Sequence, residues 1–435
     1  MKRVSALLIL LPGVLAGQQQ PAIHQLGAIA AKSGVTWNVI IGVRPLPNGR
    51  LLVNDVAGRK IVLLDSSLAQ LSVVADTTSA TATAYSGRIA SIIPYKADST
   101  LFVDPQSMSM MVIDPTGKMT ARVMALPRSE DAGMLGGAMG ASAALDAKGR
   151  LVYRAPFRFS RVGPPPTDGK MPMIPTPPES AMIVRVDLAT RQLDTVGVIK
   201  IPKMNVQVSQ DDKGNMRMNM EMNPLPTVDE WAVLSDGSVA FVRGRDYHVD
   251  FVNGDGSKTS APKIPFEWQR LSDEDKVAFI DSVKAARARL ASSAPTPAGA
   301  PTGGPPPAGD GERRVFVQMG PDGGVGRGAT PNLNPQSQVS FVSPSDLPDY
   351  KPPFFANSVR ADASGNIWVR TIPTRQMPGG PVYDVINREG KLVDRVQVPE
   401  GRTIVGFGAD GSVYLVTRDT TGTTPTMTLE RARLR

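Results

Sequence analysis

The sequence predicts an all-β fold, a six-bladed β-propeller with its N-terminal strand closing the last blade, plus a helix-containing insertion. Three observations predict it. A unit of four short strands joined by glycine-containing turns recurs along the chain. The composition is that of a turn-rich globular chain: 41% hydrophobic and 20% charged, with 41 glycines and 39 prolines in 435 residues. The last unit is one strand short while a spare strand precedes the first, and a ring completed that way hides edges that a linear stack of sheets exposes.

Residues 1–17 read as a signal peptide: Lys2 and Arg3 are basic, residues 4–15 are apolar, and Val14 and Ala16 are small or tolerated residues around a cleavage point near Ala16 or Gly17. The apolar run is too short to span a bilayer comfortably. With no cysteine after it, a lipoprotein anchor is chemically excluded, so the expected location is periplasmic or extracellular, with no transmembrane segment after cleavage. The absence of cysteine also excludes disulfides, thiol nucleophiles and Cys-based zinc sites. Removing Lys2 and Arg3 lowers the formal charge from +8 to +6, a modest excess that points only weakly to acidic partners. Nucleic-acid-binding motifs are absent.

The clearest unit covers 39–75, where Pro47-Asn48-Gly49-Arg50 turns into Leu51-Leu52-Val53 and a third strand runs to Asp65. The second covers about 88–126, with Asp114-Pro115-Thr116-Gly117 at its second turn. A third turns at Lys148-Gly149 and resumes at 182–187; a fourth turns at Asp236-Gly237 and Asp255-Gly256; a fifth at Ser364-Gly365 and Glu389-Gly390. The last, from Thr403, turns at Asp410-Gly411 and ends after a third strand near 428–434. Residues 23–29 are the expected closing strand. Asp-Gly turns also occur in sandwiches and barrels, and five or seven blades fit the pattern as well; the shared internal order and unit length favour six.

The propeller is expected over 18–435, interrupted by three insertions: a Pro-rich loop at 158–180, a Met-rich hairpin at 203–223 and a long segment at 265–353. The last opens with a helix capped by Ser272, with Asp273, Glu274 and Asp275 in its first turn and Phe279, Ile280, Val283 and Leu290 as its apolar stripe. A Pro/Gly/Ala linker follows at 294–311, with the composition of a disordered chain. In a propeller all three insertions emerge on one face, the expected functional face.

Four units carry arginine at or just beyond the end of the second strand: Arg154, Arg243, Arg370 and Arg418, with Arg158, Arg161, Arg245 and Arg375 nearby. Equivalent positions in a ring lie at one height, so these guanidinium groups would converge on a carboxylate, sulfate or phosphate. The plainer reading pairs each with a neighbouring carboxylate. Asp229, Glu230 and Asn357, at the starts of innermost strands, are candidate oxygen ligands for a divalent cation, with Asn54, Asp55 and Asp104 at loop positions elsewhere. Acidic residues also cap turns everywhere. Methionines 204, 216, 218, 220 and 222 alternate along the hairpin, as a soft-metal site or as an apolar face. His24 and His248 form no paired-histidine motif, and the glycines at 320–328 lack the strand and helix of a phosphate loop.

The segments Leu234-Ser235-Asp236-Gly237-Ser238 and Arg360-Ala361-Asp362-Ala363-Ser364-Gly365-Asn366-Ile367-Trp368-Val369 resemble the repeats of NHL-like six-bladed propellers. Residues 243–250 with the following helix, and Tyr350-Lys351-Pro352-Pro353-Phe354, are similar to secreted bacterial propellers of unassigned function. That resemblance implies fold and compartment, not activity. Gluconolactonase-like propellers are the enzymes this architecture resembles, and their axial divalent metal would imply ligand roles for Glu230 and Asn357. No catalytic residue is assigned. The expected function is a binding or scaffolding module without a cofactor, recognising an anionic small molecule, glycan or peptide; the alternative is a metal-dependent hydrolase of the gluconolactonase-like type.

Overall fold

The computed structural model describes residues 20–434 apart from 80–82, 86–90, 138–142, 157–176, 211–215, 293–314, 320–324, 331–338, 376–377 and 423–424. Among the described residues the chain builds six antiparallel sheets with one strand order. Sheet one is Ile40–Pro45, Leu51–Asp55, Lys60–Leu64 and Gln70–Asp76; sheet two is Ser91–Pro94, Thr100–Asp104, Ser109–Ile113 and Met119–Ala125. Sheet three is Ala144–Leu145, Leu151–Arg154, Ser180–Val186 and Leu193–Lys200; sheet four is Glu230–Val233, Val239–Arg243, His248–Val252 and Lys258–Ser260. Sheet five is Phe354–Ala361, Ile367–Thr371, Val382–Ile386 and Leu392–Gln397, and sheet six is Arg402–Phe407, Ser412–Asp419, Thr426–Arg433 and Ile29–Trp37.

The recurrent turn explains why so many short strands register. Asp114 Oδ1 accepts the N–H groups of Thr116 and Lys118 at 2.9 Å each, and Gly117 takes φ 85°, a left-handed conformation that a side chain would strain. Asp146, with Gly149 at φ 74°, repeats the pattern, and Asp362 with Gly365 at φ 85° does so again. These bonds hold the Asp114 carboxyl below its ordinary range against a desolvation that pushes the other way.

Sheets pack face to face in sequence order. Leu52 and Ile61 of sheet one meet Phe102 of sheet two; Val103 of sheet two meets Tyr153 of sheet three; Ile183 of sheet three meets Trp231 and Phe241 of sheet four. Val242 packs on Val369, Trp368 on Leu415, and Tyr414 and Leu429 of sheet six return to Leu51 and Val53 of sheet one. Each such large side chain contributes roughly 1.5–3 kcal/mol on burial. First strands touch first strands, as Glu230–Val233 touches Phe354–Ala361 and Ile40–Pro45 touches both Ser91–Pro94 and Arg402–Phe407. The chain is an all-β propeller.

The strand beside the terminal one is not the expected 23–29. Ile29–Trp37 pairs antiparallel with Thr426–Arg433, while Ile23–Gln25 adds a parallel fifth strand to the outer edge of sheet five. The longer segment wins because Ile29, Ala31, Ser33, Val35 and Trp37 alternate inward with period two, and Trp37 is fully buried.

The insertions join one another. Met204–Gln210 pairs with Met216–Met222, placing Met204 opposite Met222, and Met216–Met222 pairs in parallel with Val339–Phe341 of the long insertion. The helix Asp273–Ser292 starts with a reciprocal capping box: Ser272 Oγ accepts the Asp275 N–H, and Asp275 Oδ2 accepts the Ser272 N–H. Ile280 buries with Leu225, Leu271, Val342 and Ile372, joining the helix to the hairpin region and to sheet five. Lys276 is buried and its Nζ bonds Asp349 at 2.7 Å. The signal peptide at 1–17, most of the Pro-rich loop, Arg158 and Arg161, the linker 294–311 and Gly320 lie outside the described residues, as do the side chains of Leu290, Met216 and Met218.

Candidate functional site

The four arginines of the second-strand ends do not converge as a ring. Arg243 Nε bonds Asp250 Oδ2 at 2.8 Å, and its Nη1 bonds Asp229 Oδ2 at 3.0 Å and the Val198 carbonyl at 2.9 Å. It is a strut between sheets three and four, and it rims a depression of about 280 Å³ between their outer strands. Arg418 is exposed, on the strand of sheet six that follows the core positions. Arg154 and Arg370 turn inward instead: Arg370 is buried and interacts with the Tyr383 hydroxyl, and Arg154 is half-buried within electrostatic reach of Glu230.

Glu230 is the centre of this cluster. Its Oε1 accepts the backbone N–H of Asn357 at 2.8 Å. Burial pushes its pKa up to about 7, although the Asn357 N–H, Arg154 and Arg360 all favour the carboxylate. Burial likewise lowers Arg154, Arg360 and Arg370 and raises Tyr383. Three sheets therefore contribute to one desolvated charge cluster: Arg154 from sheet three, Glu230 from sheet four, and Arg360, Arg370 and Tyr383 from sheet five.

The approach of Asn357 to Glu230 depends on a bulge. Register shifts between Phe354 and Val359, and Asn357 sits at φ 64°, a left-handed conformation that asparagine tolerates better than most residues. Ser358 Oγ bonds the Phe355 carbonyl and holds the bulge shut. Non-glycine residues in this conformation concentrate at functional sites.

Glu230 and Asn357 thus meet, but through a backbone N–H and not the amide side chain. Asp229 points elsewhere: Oδ2 takes Arg243 and the Lys200 N–H, and Oδ1 takes the Gly244 N–H at 3.2 Å. Two guanidinium groups beside Glu230 oppose a cation there. These three residues do not fit a divalent metal, and among the described residues no group of three His, Asp or Glu side chains is arranged to hold a metal ion. Asp55 is buried and accepts the N–H groups of Asn38, Val39 and Gly58; Asp104 accepts from Gln106 and Ser107. His248 lies between Asp246 and Asp250, and His24 beside Asp394.

Arg360 and Tyr383 escape a reading of the sequence by turn position, because both lie inside strands. The available signal was a charge in an innermost strand: Arg360 stands between Val359 and Ala361, where a core-facing strand carries no long cation without a partner.

No family model matches the chain, and no curated protein matches it. Solved structures do. Regucalcin, a calcium-binding protein from Agrobacterium tumefaciens, is 13% identical over 95% of this chain and 98% of its own, with TM-score 0.37. A candidate exported protein from Bacteroides fragilis is 12% identical over 95% and 98%, with TM-score 0.39. Virginiamycin B lyase from Staphylococcus aureus is 9% identical over 91% and 96%, with TM-score 0.33. Likenesses this distant transfer neither ligand nor reaction to this chain. Among the described residues no helix is long and apolar enough to cross a membrane.

Proposed function

We propose that the chain is an exported, noncatalytic binding module: a six-bladed propeller, closed where Ile29–Trp37 lies beside Thr426–Arg433, that takes an anionic ligand between Arg154 and Arg360. The six sheets and their circular succession of cores support the blade count. One observation carries the ligand class. Two guanidinium groups, Arg154 and Arg360, flank a single carboxyl that burial holds near neutrality, and Arg370 joins them through Tyr383. A carboxylate, sulfate or phosphate placed between Arg154 and Arg360 would accept charge-assisted hydrogen bonds from both. Export rests on the n-region and apolar run of residues 1–17; N-terminal sequencing of the secreted protein should then begin near Gln18.

Titration calorimetry with succinate, citrate, phosphate and sulfate tests the site. At least one of them should bind wild type, and Arg154→Gln or Arg360→Gln should weaken it by at least about tenfold, the worth of one charge-assisted bond. Silence across the panel, or variants that bind like wild type, would end this reading. The other reading, a metal-dependent hydrolase of the gluconolactonase-like type, is tested by calcium, zinc and manganese thermal shifts with a lactone assay. Stoichiometric metal together with turnover would replace the binding module.

A further inference from the structure

Away from the charge cluster, two aromatic side chains stand in solvent on one narrow ribbon. Trp268 is 38% exposed and Tyr350 is 50% exposed. The segments around them run antiparallel: Leu271 N–H bonds the Asp349 carbonyl at 2.8 Å, Lys351 N–H bonds the Gln269 carbonyl at 2.9 Å, and Arg270 lies opposite Tyr350. With a period of two, Trp268, Arg270 and Tyr350 share the outer face while Leu271 turns into the core with Ile280 and Val342. Both exposed rings and the cation therefore look the same way.

Trp268 is held in place from below. Its indole meets Phe266 edge to face at 5.2 Å, Phe266 meets Tyr247 at 5.6 Å, and Tyr247 packs on Phe354 and bonds Asp384 at 2.9 Å. That chain of rings runs from the surface to the core of sheets four and five, so little rotamer entropy remains to be lost when a ligand stacks. Of the acidic neighbours, Glu267 is paired with Arg375, while Asp349 bonds Lys276 and lies within electrostatic reach of Arg270 as well.

We propose that this face is a stacking platform for an acidic polysaccharide. Outward-facing rings offer flat apolar faces, which suit the C–H face of a pyranose better than a peptide side chain that needs an enclosing pocket. Arg270, on the same face, supplies the fork for a uronate carboxylate. The platform shares no residue with the anion cluster of Arg154, Glu230, Arg360 and Arg370.

Affinity electrophoresis of the full chain through gels containing polygalacturonate, with hydroxyethylcellulose as the neutral comparison, tests it. Wild type should be retarded by the acidic polymer; Trp268→Ala and Tyr350→Ala should each lose about tenfold in affinity, in line with aromatic contacts of this size. Arg270→Gln should remove the preference for the acidic polymer, and Arg418→Gln, at a solvated cation of sheet six, should leave retardation unchanged. Equal retardation by the neutral polymer, none by either, or retention of wild-type affinity in both alanine variants overturns the platform. Trp268 and Tyr350 sit on opposite segments, so misfolding of one variant leaves the other to decide. Loss of retardation in Arg154→Gln would assign the binding to the cluster instead.

Discussion

Sheets one and two carry an acid as the fifth residue of the second strand, Asp55 and Asp104, while sheets three and five carry an arginine as the fourth, Arg154 and Arg370. In the first pair the acid is buried: Asp55 gathers three N–H groups from residues 38, 39 and 58, and Asp104 bonds Gln106 and Ser107. Each is answered within its own sheet and adjoining turn. In sheet four that fifth position holds Arg243, whereas in sheets three and five the arginine comes one residue earlier and so faces the other way, and Arg154 finds its opposite charge, Glu230, on the next sheet. A charge satisfied by its own turn supports the fold; a charge whose counterpart arrives from a neighbouring sheet depends on the ring.

Asp55→Ala should therefore have the largest effect on stability, a loss of about 3–5 kcal/mol in denaturant unfolding, because three N–H groups lose their buried acceptor. Gly58→Ala should cost stability too, since a Cβ there would lie 2.2 Å from Asp55 Oδ2. An effect below about 1 kcal/mol for Asp55→Ala would erase the distinction between the two regions.

Glu230 sharpens the comparison through pH. Its folded pKa of about 7 lies above its unfolded value, so the folded state keeps a proton that the unfolded chain has released. Stability from this group is full below about pH 4.5 and declines as pH rises to about 7, by up to about 3 kcal/mol. Glu230→Gln should flatten that slope in a melting-temperature series from pH 5 to 8. The same ionisation places a carboxylate between Arg154 and Arg360, so anion affinity should fall above pH 7 in wild type and not in the glutamine variant. A wild-type slope that survives the substitution would place the titration elsewhere.

Arg154→Met removes a desolvated charge. Folding stability should stay level or rise by about 1 kcal/mol while anion binding is lost, the pattern of a site kept at the expense of stability. The smallest effect belongs to Arg418→Ala, within about 0.5 kcal/mol of wild type, because its side chain is solvated.

The turns were legible because their chemistry is local: an Asp and a Gly three residues apart need only each other's backbone, as at Asp114 and Gly117. The helix start was legible for the same reason, with Ser272 and Asp275 one turn apart. The site was half legible. Arg154, Arg370, Glu230 and Asn357 are drawn to it, yet Arg243 is captured by Asp229, which the chain brings back from the start of the preceding strand. Spacing along the chain does distinguish Arg243 from Arg154: Arg243 is the fifth residue of its strand and Arg154 the fourth, so the period of two turns them to opposite faces. The N-terminal strand was placed a few residues early because the alternation from Ile29 to Trp37 runs through Gly34 and Lys32, which dilute its apolar character.

A bromide-soaked crystal, read by anomalous scattering, tests the anion cluster most directly. The account predicts an ordered bromide within hydrogen-bond reach of Arg154 or Arg360, lost in Arg154→Gln crystals. Ordered bromide at other cationic sites, with none beside these guanidinium groups, would contradict it.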